Sequence, residues 1–288
     1  MTNQRAQIEL FCLPHQARDL KLKIVVRPTN YGDSYNAADR AATDGFWQEL
    51  AEESARFGRP QSTTNKNLAT LRIVGEDGEV ICDTTEFRDY VAISRVPDRL
   101  SPEASNGMRV AAVGSCLLSA DDSIIVHKRS TKATHSPGYL DSSCAGLCFV
   151  RDGVTLRPEE DLPKKLKGEL GLEMKDIDSV TLTGIHSCSA PDFSGMFTYA
   201  LRTGLDQDRV RSLVDKAMQT AGVGRLDSYE FVERAGLVDY LVKHYITDKD
   251  MVADGLVTLM GALNEDEFSH VQTRVKDSGI SLVVGPLQ

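Results

Sequence analysis

The stretch Asp161-Leu-Pro-Lys-Lys-Leu-Lys-Gly-Glu-Leu-Gly-Leu172 decides how the rest of the sequence is interpreted. Its leucines Leu162, Leu166 and Leu170 fall at i, i+4 and i+8, a spacing typical of one face of a helix. Gly171 indicates where that helix ends, because glycine readily takes the left-handed conformation found just after a helix. The stretch therefore predicts a short helix from about residue 161 to residue 170.

Strands are predicted on both sides of this helix. They are Val110–Leu118 and Ser123–His127 before it, and Ser179–His186, Met196–Arg202 and Tyr229–Val232 after it. A Pro-Gly turn at 137–138 leads into Tyr139-Leu-Asp-Ser-Ser-Cys-Ala-Gly146, and residues 235–245 have the spacing of a second helix. Strands interrupted by helices predict an α/β domain at 108–245.

Two further segments flank the α/β domain. Residues 1–107 predict an N-terminal α+β module with a strand at 20–26, a helix at 45–56 and a hairpin at 71–82. Turn-forming residues at 99–107 favour a boundary there. Residues 246–288 predict a C-terminal helical extension with helices at 251–263 and 266–275 and a last strand at 280–284.

The composition of the 288 residues restricts the class of protein. Lys and Arg total 33 against 42 Asp and Glu, a net charge of −9, so binding to nucleic acid is disfavoured. The longest apolar stretch, 110–118, is about half of the roughly 20 residues that a membrane-spanning helix needs. The first ten residues lack an apolar run of signal-peptide length, and the six cysteines include no CxxC pair. We expect a cytoplasmic protein with free thiols and no membrane association.

Three sequence motifs follow one another within 108–245. They are His127-Lys-Arg-Ser130, Pro137-Gly-Tyr-Leu-Asp-Ser-Ser-Cys-Ala-Gly146 and Lys164-Lys-Leu-Lys-Gly-Glu-Leu-Gly-Leu172. With the order of elements around them they resemble the Nudix superfamily, which cleaves diphosphate linkages in molecules of the form nucleoside-diphosphate-X. The resemblance covers roughly half of the chain. It implies a Nudix-like α/β/α sandwich and a small diphosphate-containing or nucleotide ligand.

The third motif departs from the family pattern at the metal ligands. In the family, this helix carries several glutamates that hold Mg²⁺ against a diphosphate. Here Lys164 stands in place of the family's Arg, while Lys165 and Gly168 stand in place of two glutamates. Glu169 is the retained carboxylate, and the resemblance implies that it acts as metal ligand or base. The Lys165 ammonium is expected about one turn away, where it competes with a metal.

Other acidic residues are candidates to replace the missing ligands. Glu160, in the acidic cluster before the helix, is a second candidate metal ligand and catalytic residue, and Asp192 is a third candidate ligand or base. The alternatives are structural: Asp161 caps the helix while its glutamate neighbours stabilise the helix N-terminus, and Asp192 forms a turn after Pro191. Mg²⁺ is therefore the expected cofactor only if such compensation occurs.

The basic loop after the second predicted strand contains the candidate phosphate ligands. The substrate-binding candidates are Arg129, Lys132, His135, Tyr139 and Lys165. An arginine can bind a phosphate through paired N–H donors. The alternative is that these loop cations are simply solvated.

The cysteine at 144 suggests a further resemblance. Ser143-Cys-Ala-Gly146 is similar to isopentenyl diphosphate isomerase, a Nudix relative with a catalytic cysteine in the corresponding strand. That enzyme needs a metal-binding histidine two residues after the cysteine, and Gly146 occupies that place here. A buried and inert thiol is the favoured interpretation of Cys144.

Two functions remain open, with a minor third. The first is a Nudix-type hydrolase in which water attacks phosphorus, and the second is a non-hydrolytic module that binds a nucleotide or another protein, with Lys165 supplying the charge once supplied by metal. The third is isomerase-like chemistry through Cys144. The N-terminal module either caps the cleft or builds a homodimer.

Overall fold

The structure, a computed structural model, describes residues 7–12, 17, 20–56, 66–75, 78–131, 136–188, 194–220 and 226–285. Its strands are β1 (Ile8–Cys12), β2 (Lys23–Asn30), β3 (Asn67–Val74), β4 (Glu79–Glu86), β5 (Val110–Leu118), β6 (Ser123–Arg129), β7 (Leu140–Asp141), β8 (Cys144–Leu147), β9 (Ser179–Cys188), β10 (Ser194–Arg202), β11 (Leu226–Glu233) and β12 (Leu282–Val284).

The helices are α1 (Ala37–Arg56), α2 (Phe87–Arg95), α3 (Pro102–Asn106), α4 (Pro158–Lys165), α5 (Gln207–Thr220), α6 (Leu237–Leu241), α7 (Ala253–Met260) and α8 (Glu265–Asp277). Two of them continue into π-helical turns, α4 into Leu166–Leu170 and α6 into Val242–Asp248. Short 3₁₀ turns lie at Tyr31–Ser34, Pro97–Arg99, Met174–Asp176 and Arg234–Gly236.

A single sheet runs through the described chain in the order β12-β1-β9-β10-β5-β3-β4-β2. At its centre β10 pairs in parallel with the fully buried β5 and antiparallel with β9. β6 and β8 also pair with β5, while β7 and β11 pair with β6. The sheet therefore brings β8 beside the central strand, where the candidate site lies.

Helices cover both faces of the central strands. On one face, α4, its π turn and α5 pack through side chains such as Leu162, Leu166 and Val214. On the other face, α6, α7 and α8 pack through side chains such as Leu256 and Val271. Successive residues of β5 alternate between the two cores, as the two-residue repeat of a strand requires. The prediction of an α/β fold is confirmed at the level of class.

The N-terminal region builds its own core from α1, α2 and the adjoining strands. The hairpin predicted at 71–82 is present as β3 and β4, with Val74 opposite Val80. β1 pairs with β9 and β12, so β9, β10 and β5 lie between it and this hairpin in the sheet. One sheet thus crosses the boundary expected near residue 107, and the division into three segments stays a prediction.

Helix α4 differs from its prediction at its start. It begins at Pro158, three residues before the expected Asp161, because proline at the first helical position has no N–H to leave unpaired. The capping role expected of Asp161 is therefore wrong. Its buried carboxylate instead accepts a hydrogen bond from the Phe149 backbone N–H (3.2 Å) and pairs with Arg151 (3.0 Å). Gly171 ends the helix as expected, with φ of 68°.

No helix in the described segments is both long enough and apolar enough to span a bilayer.

Candidate functional site

The α4 helix and its π turn place two charged side chains beside β8. Leu162, Leu166 and Leu170 are fully buried in the core, so Lys165 and Glu169 lie at the boundary of the packed face, and both are half-buried. Gly171 allows the turn to pack tightly, since a Cβ there would lie 2.7 Å from a backbone oxygen of α5. The leucine repeat read from the sequence therefore fixes the position of the two charges.

Glu169 is bound to the strand that it faces. Its Oε2 accepts a hydrogen bond from the Ala145 backbone N–H at 3.2 Å. This contact connects the helix to β8.

Lys165 lies against the same strand, over Gly146. A Cβ added to Gly146 would lie 2.7 Å from Lys165 Cε and closer still to Nζ, so only glycine leaves room for this side chain. The ammonium lies 5.9 Å from the centre of the Phe149 ring. Within the described ranges, no carboxylate oxygen lies within 4.0 Å of Nζ. Lys165 is thus a half-buried cation without an ion-pair partner in that part of the chain.

Cys144, the first residue of β8, is buried close to these charges. Its Sγ lies 3.0 Å from the Ser115 hydroxyl, and the residue has no solvent exposure. Burial raises the pKa of the Cys144 thiol, the Glu169 charge raises it further, and the Lys165 charge opposes this. Cys144 is therefore a protonated thiol at neutral pH, which favours the inert interpretation over catalysis.

Arg129, at the end of β6, is held by a buried carboxylate. Its Nη1 lies 2.6 Å from Oδ2 of Asp141, which is 2% exposed. Asp141 also accepts a hydrogen bond from the Ser142 backbone N–H at 2.7 Å, and His127 Nε2 lies 3.9 Å from Oδ2. The predicted phosphate ligand is thus part of an internal ion pair.

Glu160 lies in a different group of contacts from Glu169. Its carboxylate pairs with Arg151 and with Arg157, the latter at 2.7 Å. It is bound to two arginines, and no contact between it and Glu169 is found among the described residues. The structure therefore does not bring the first two predicted metal ligands together.

Of the remaining candidate residues, one is exposed and three lie outside the described residues. Tyr139 is 41% exposed and follows Gly138, whose φ is 77°. Its carbonyl accepts a hydrogen bond from the Arg129 backbone N–H. Lys132, His135 and Asp192 lie outside the described residues.

The donors around Glu169 do not fit a Mg²⁺ site of the family type. Mg²⁺ requires several hard oxygen ligands in near-octahedral geometry. Within the described ranges, groups of three or more His, Cys, Asp or Glu ligand atoms lie elsewhere and contain neither Glu160 nor Glu169. Lys165, from the same helix, lies over Gly146, the residue after the one whose N–H Glu169 accepts.

Comparison with known proteins identifies no family. No protein-family model and no curated protein matches the chain. A crystal structure of DR0079 from Deinococcus radiodurans is similar at 18% identity and a TM-score of 0.37, over 70% of this chain and 97% of that one. Similarity at this level assigns neither a family nor a function.

Sequence reasoning did not identify a buried polar cluster on the opposite face of the sheet. His186 and Cys188 on β9 lie beside Asp254 near the start of α7. The signal that was available is the His-x-Cys spacing, which places both side chains on one face of a strand. The third residue is distant in sequence, and only the packing of α7 brings it there.

Proposed function

We propose that the chain is a metal-independent binding module for a small diphosphate-containing metabolite of the nucleotide class. The ligand class comes from the resemblance of 108–245 to the Nudix superfamily. The observation that carries the proposal is the Lys165 ammonium, which is half-buried and lacks an ion-pair partner in the described residues.

A cation in this position is suited to an anionic ligand. Ion pairs formed away from bulk water are stronger than exposed ones, because the screening by solvent is weaker. Gly146 lets the lysine lie directly on β8, where its ammonium is half-buried. Lys165 then supplies the positive charge that a metal supplies elsewhere in the superfamily.

Hydrolysis has less support from the same residues. Glu169 is the one family carboxylate retained on the helix, and it already accepts the Ala145 N–H. Glu160 is bound to two arginines. The isomerase alternative needs a reactive thiol, whereas burial raises the pKa of Cys144.

The experiment is a calorimetric titration of the full chain with inorganic pyrophosphate and with ADP, both in excess chelator. Lys165→Met keeps the length of the side chain and removes its charge, and we expect the affinity to fall at least about 10-fold, because charge-assisted hydrogen bonds contribute about 1.5–3 kcal/mol. Lys167→Met is the matched control: Lys167 is 71% exposed and pairs with Glu173 at 3.0 Å. The affinity of the Lys167→Met variant for pyrophosphate and ADP should stay within about 2-fold of the wild-type affinity.

Two results would overturn the proposal. One is the absence of pyrophosphate and ADP binding in chelator, and the other is an equal loss in both lysine variants. Phosphate released from ADP only when Mg²⁺ is present would reassign the chain to the hydrolases. Arg129→Ala is a poor probe here, because it would leave the buried Asp141 without its ion-pair partner.

A further inference from the structure

Three side chains that the anion site does not use converge on the sheet face covered by α7. His186 and Cys188 are two residues apart on β9, so both point to the same side of the sheet. Asp254 is the second residue of α7, which packs on that side. Ser194, the first residue of β10, is directly opposite Cys188 in the ladder and adds a hydroxyl group.

The donor atoms of this cluster are close together. His186 Nε2 lies 3.1 Å from Asp254 Oδ1, and Ser194 Oγ lies 2.7 Å from the same oxygen. One ligand atom each from His186, Cys188 and Asp254 lies within 4.8 Å of the other two. A tetrahedral ion with bonds of about 2.0–2.3 Å separates its ligand atoms by roughly 3.3–3.8 Å. Ligand-atom separations of up to 4.8 Å would have to shorten by about 1 Å to complete such a site.

The charges of these groups are suited to a divalent ion. His186 and Cys188 are each 1% exposed, so the site is shielded from solvent. A thiolate and a carboxylate together neutralise the two charges of a divalent ion.

The hydrogen-bond network leaves one atom of the cluster unused. Nδ1 of His186 is buried and has no hydrogen-bond partner among the described residues. Leaving a buried polar atom unpaired costs about 1–3 kcal/mol. Nε2, 3.1 Å from Asp254 Oδ1, is the ring nitrogen placed to bind an ion together with that oxygen.

We propose that His186, Cys188 and Asp254 bind one Zn²⁺ ion. A nitrogen, a sulfur and a carboxylate oxygen are the ligands that Zn²⁺ prefers, and Ser194 or water is available for a fourth position. On binding, the Cys188 S–H bond breaks, its proton goes to solvent, and the sulfur electron pair forms the bond to zinc. No oxidation or reduction takes place. This site is independent of the anion site proposed around Lys165, which lies on the other sheet face.

The experiment measures Zn²⁺ and Co²⁺ binding to the full chain after treatment with chelator. We expect one Zn²⁺ per chain, a thiolate-to-cobalt charge-transfer band with Co²⁺, and one sulfur neighbour at about 2.3 Å in zinc X-ray absorption. Cys188→Ser and His186→Asn should each weaken binding at least about 100-fold, beyond the 10–100-fold typical of residues around the ligands.

Two variants serve as controls. Cys116→Ser removes another buried thiol of the same core. His244→Asn removes the histidine of a more exposed group with Asp248 and Asp250. Both should bind zinc as the wild type does.

The wild-type measurements keep the test decisive if a variant fails to fold. Binding of less than one ion per chain overturns the proposal. An ion without a sulfur neighbour, or zinc binding that His244→Asn abolishes, overturns it as well.

Discussion

The two faces of the central sheet hold their polar groups in opposite ways. On the α4 face, Lys165 and Glu169 are half-buried, and the lysine has no ion-pair partner in the described residues. On the α7 face, His186, Cys188 and Asp254 are enclosed and bonded to one another. A cation without a partner is available to a ligand from solvent, whereas a closed network stabilises the fold or holds an ion. The two faces are therefore expected to respond differently to substitution.

The largest difference is expected between two carboxylate deletions. Asp254→Ala leaves His186 Nε2 and the Ser194 hydroxyl buried without their acceptor, and should lower the free energy of unfolding by about 3–5 kcal/mol. Glu169→Ala removes a half-buried group and should cost about 1 kcal/mol. Urea unfolding in chelator measures both. An equal or larger loss in Glu169→Ala would contradict the contrast between the faces.

A second comparison tests whether partners, rather than burial alone, decide the charge of a buried carboxylate. Asp89 lines a small polar cavity in the N-terminal region. Burial, followed by the nearby Glu86 charge, raises its pKa from 3.8 to about 6. Burial also tends to raise the pKa of Asp254, but hydrogen bonds and charge from its partners lower it. Between pH 3.8 and about 6, the folded state therefore keeps a proton on Asp89 that the unfolded state releases.

This difference predicts a dependence of stability on pH. The contribution of Asp89 is fully present below pH 3.8 and is lost as pH rises to about 6, by up to about 3 kcal/mol. Asp89→Asn should remove that decline, so the wild type should lose stability relative to the variant as pH increases across this window. Unfolding free energies measured along the pH series test it. A difference between the proteins that does not change with pH would count against the assignment.

Two glycine substitutions compare the packing of the faces directly. In Gly114→Ala the new Cβ would lie 2.9 Å from Thr258 Oγ1 and 3.3 Å from Met196 Sδ, inside the α7 core. Overpacking of this kind typically costs about 1–3 kcal/mol. In Gly146→Ala the new Cβ meets the mobile end of Lys165, which can move away, so we expect less than about 1 kcal/mol.

The two glycine variants should also differ in ligand binding. Gly146→Ala should weaken pyrophosphate binding about 10-fold by displacing the Lys165 ammonium. Gly114→Ala should bind as the wild type does at temperatures where it is folded. Thermal unfolding and calorimetry provide both readouts, and the reverse order of stability losses would refute the packing argument.

The smallest effect is expected at Glu160. Glu160→Gln removes the charge that faces Arg151 and Arg157 at a partly exposed position, and such pairs contribute about 0–1 kcal/mol. Pyrophosphate affinity in chelator should not change. A Mg²⁺-dependent activity that this variant abolished would restore Glu160 as a metal ligand.

Much of the fold could be predicted from local sequence. The leucine repeat of α4, the left-handed Gly171, the hairpin of β3 and β4, and the buried β5 each depend on residues adjacent in the chain. α5 was not predicted, although Val210, Val214 and Ala217 have helical spacing and are buried on one side. The strand β1 could not be recognised locally, because its partners β9 and β12 are distant in sequence.

The candidate site was predictable only in part, because several of its contacts also join residues that are distant in sequence. The positions of Lys165 and Glu169 follow from the helix motif. The packing of strands and loops brings Asp141 to Arg129. It also brings Arg151 to Glu160 and Asp161. These ion pairs depend on tertiary contacts, and no spacing in the sequence reports them.

The most direct test of the central claim is a titration of the wild-type chain with inorganic pyrophosphate, first in chelator and then in Mg²⁺. Concentrations of free pyrophosphate are corrected for its complex with magnesium. Because Lys165 supplies the positive charge, we predict dissociation constants that agree within about 3-fold. Binding that is absent in chelator and appears only with Mg²⁺ would contradict the account.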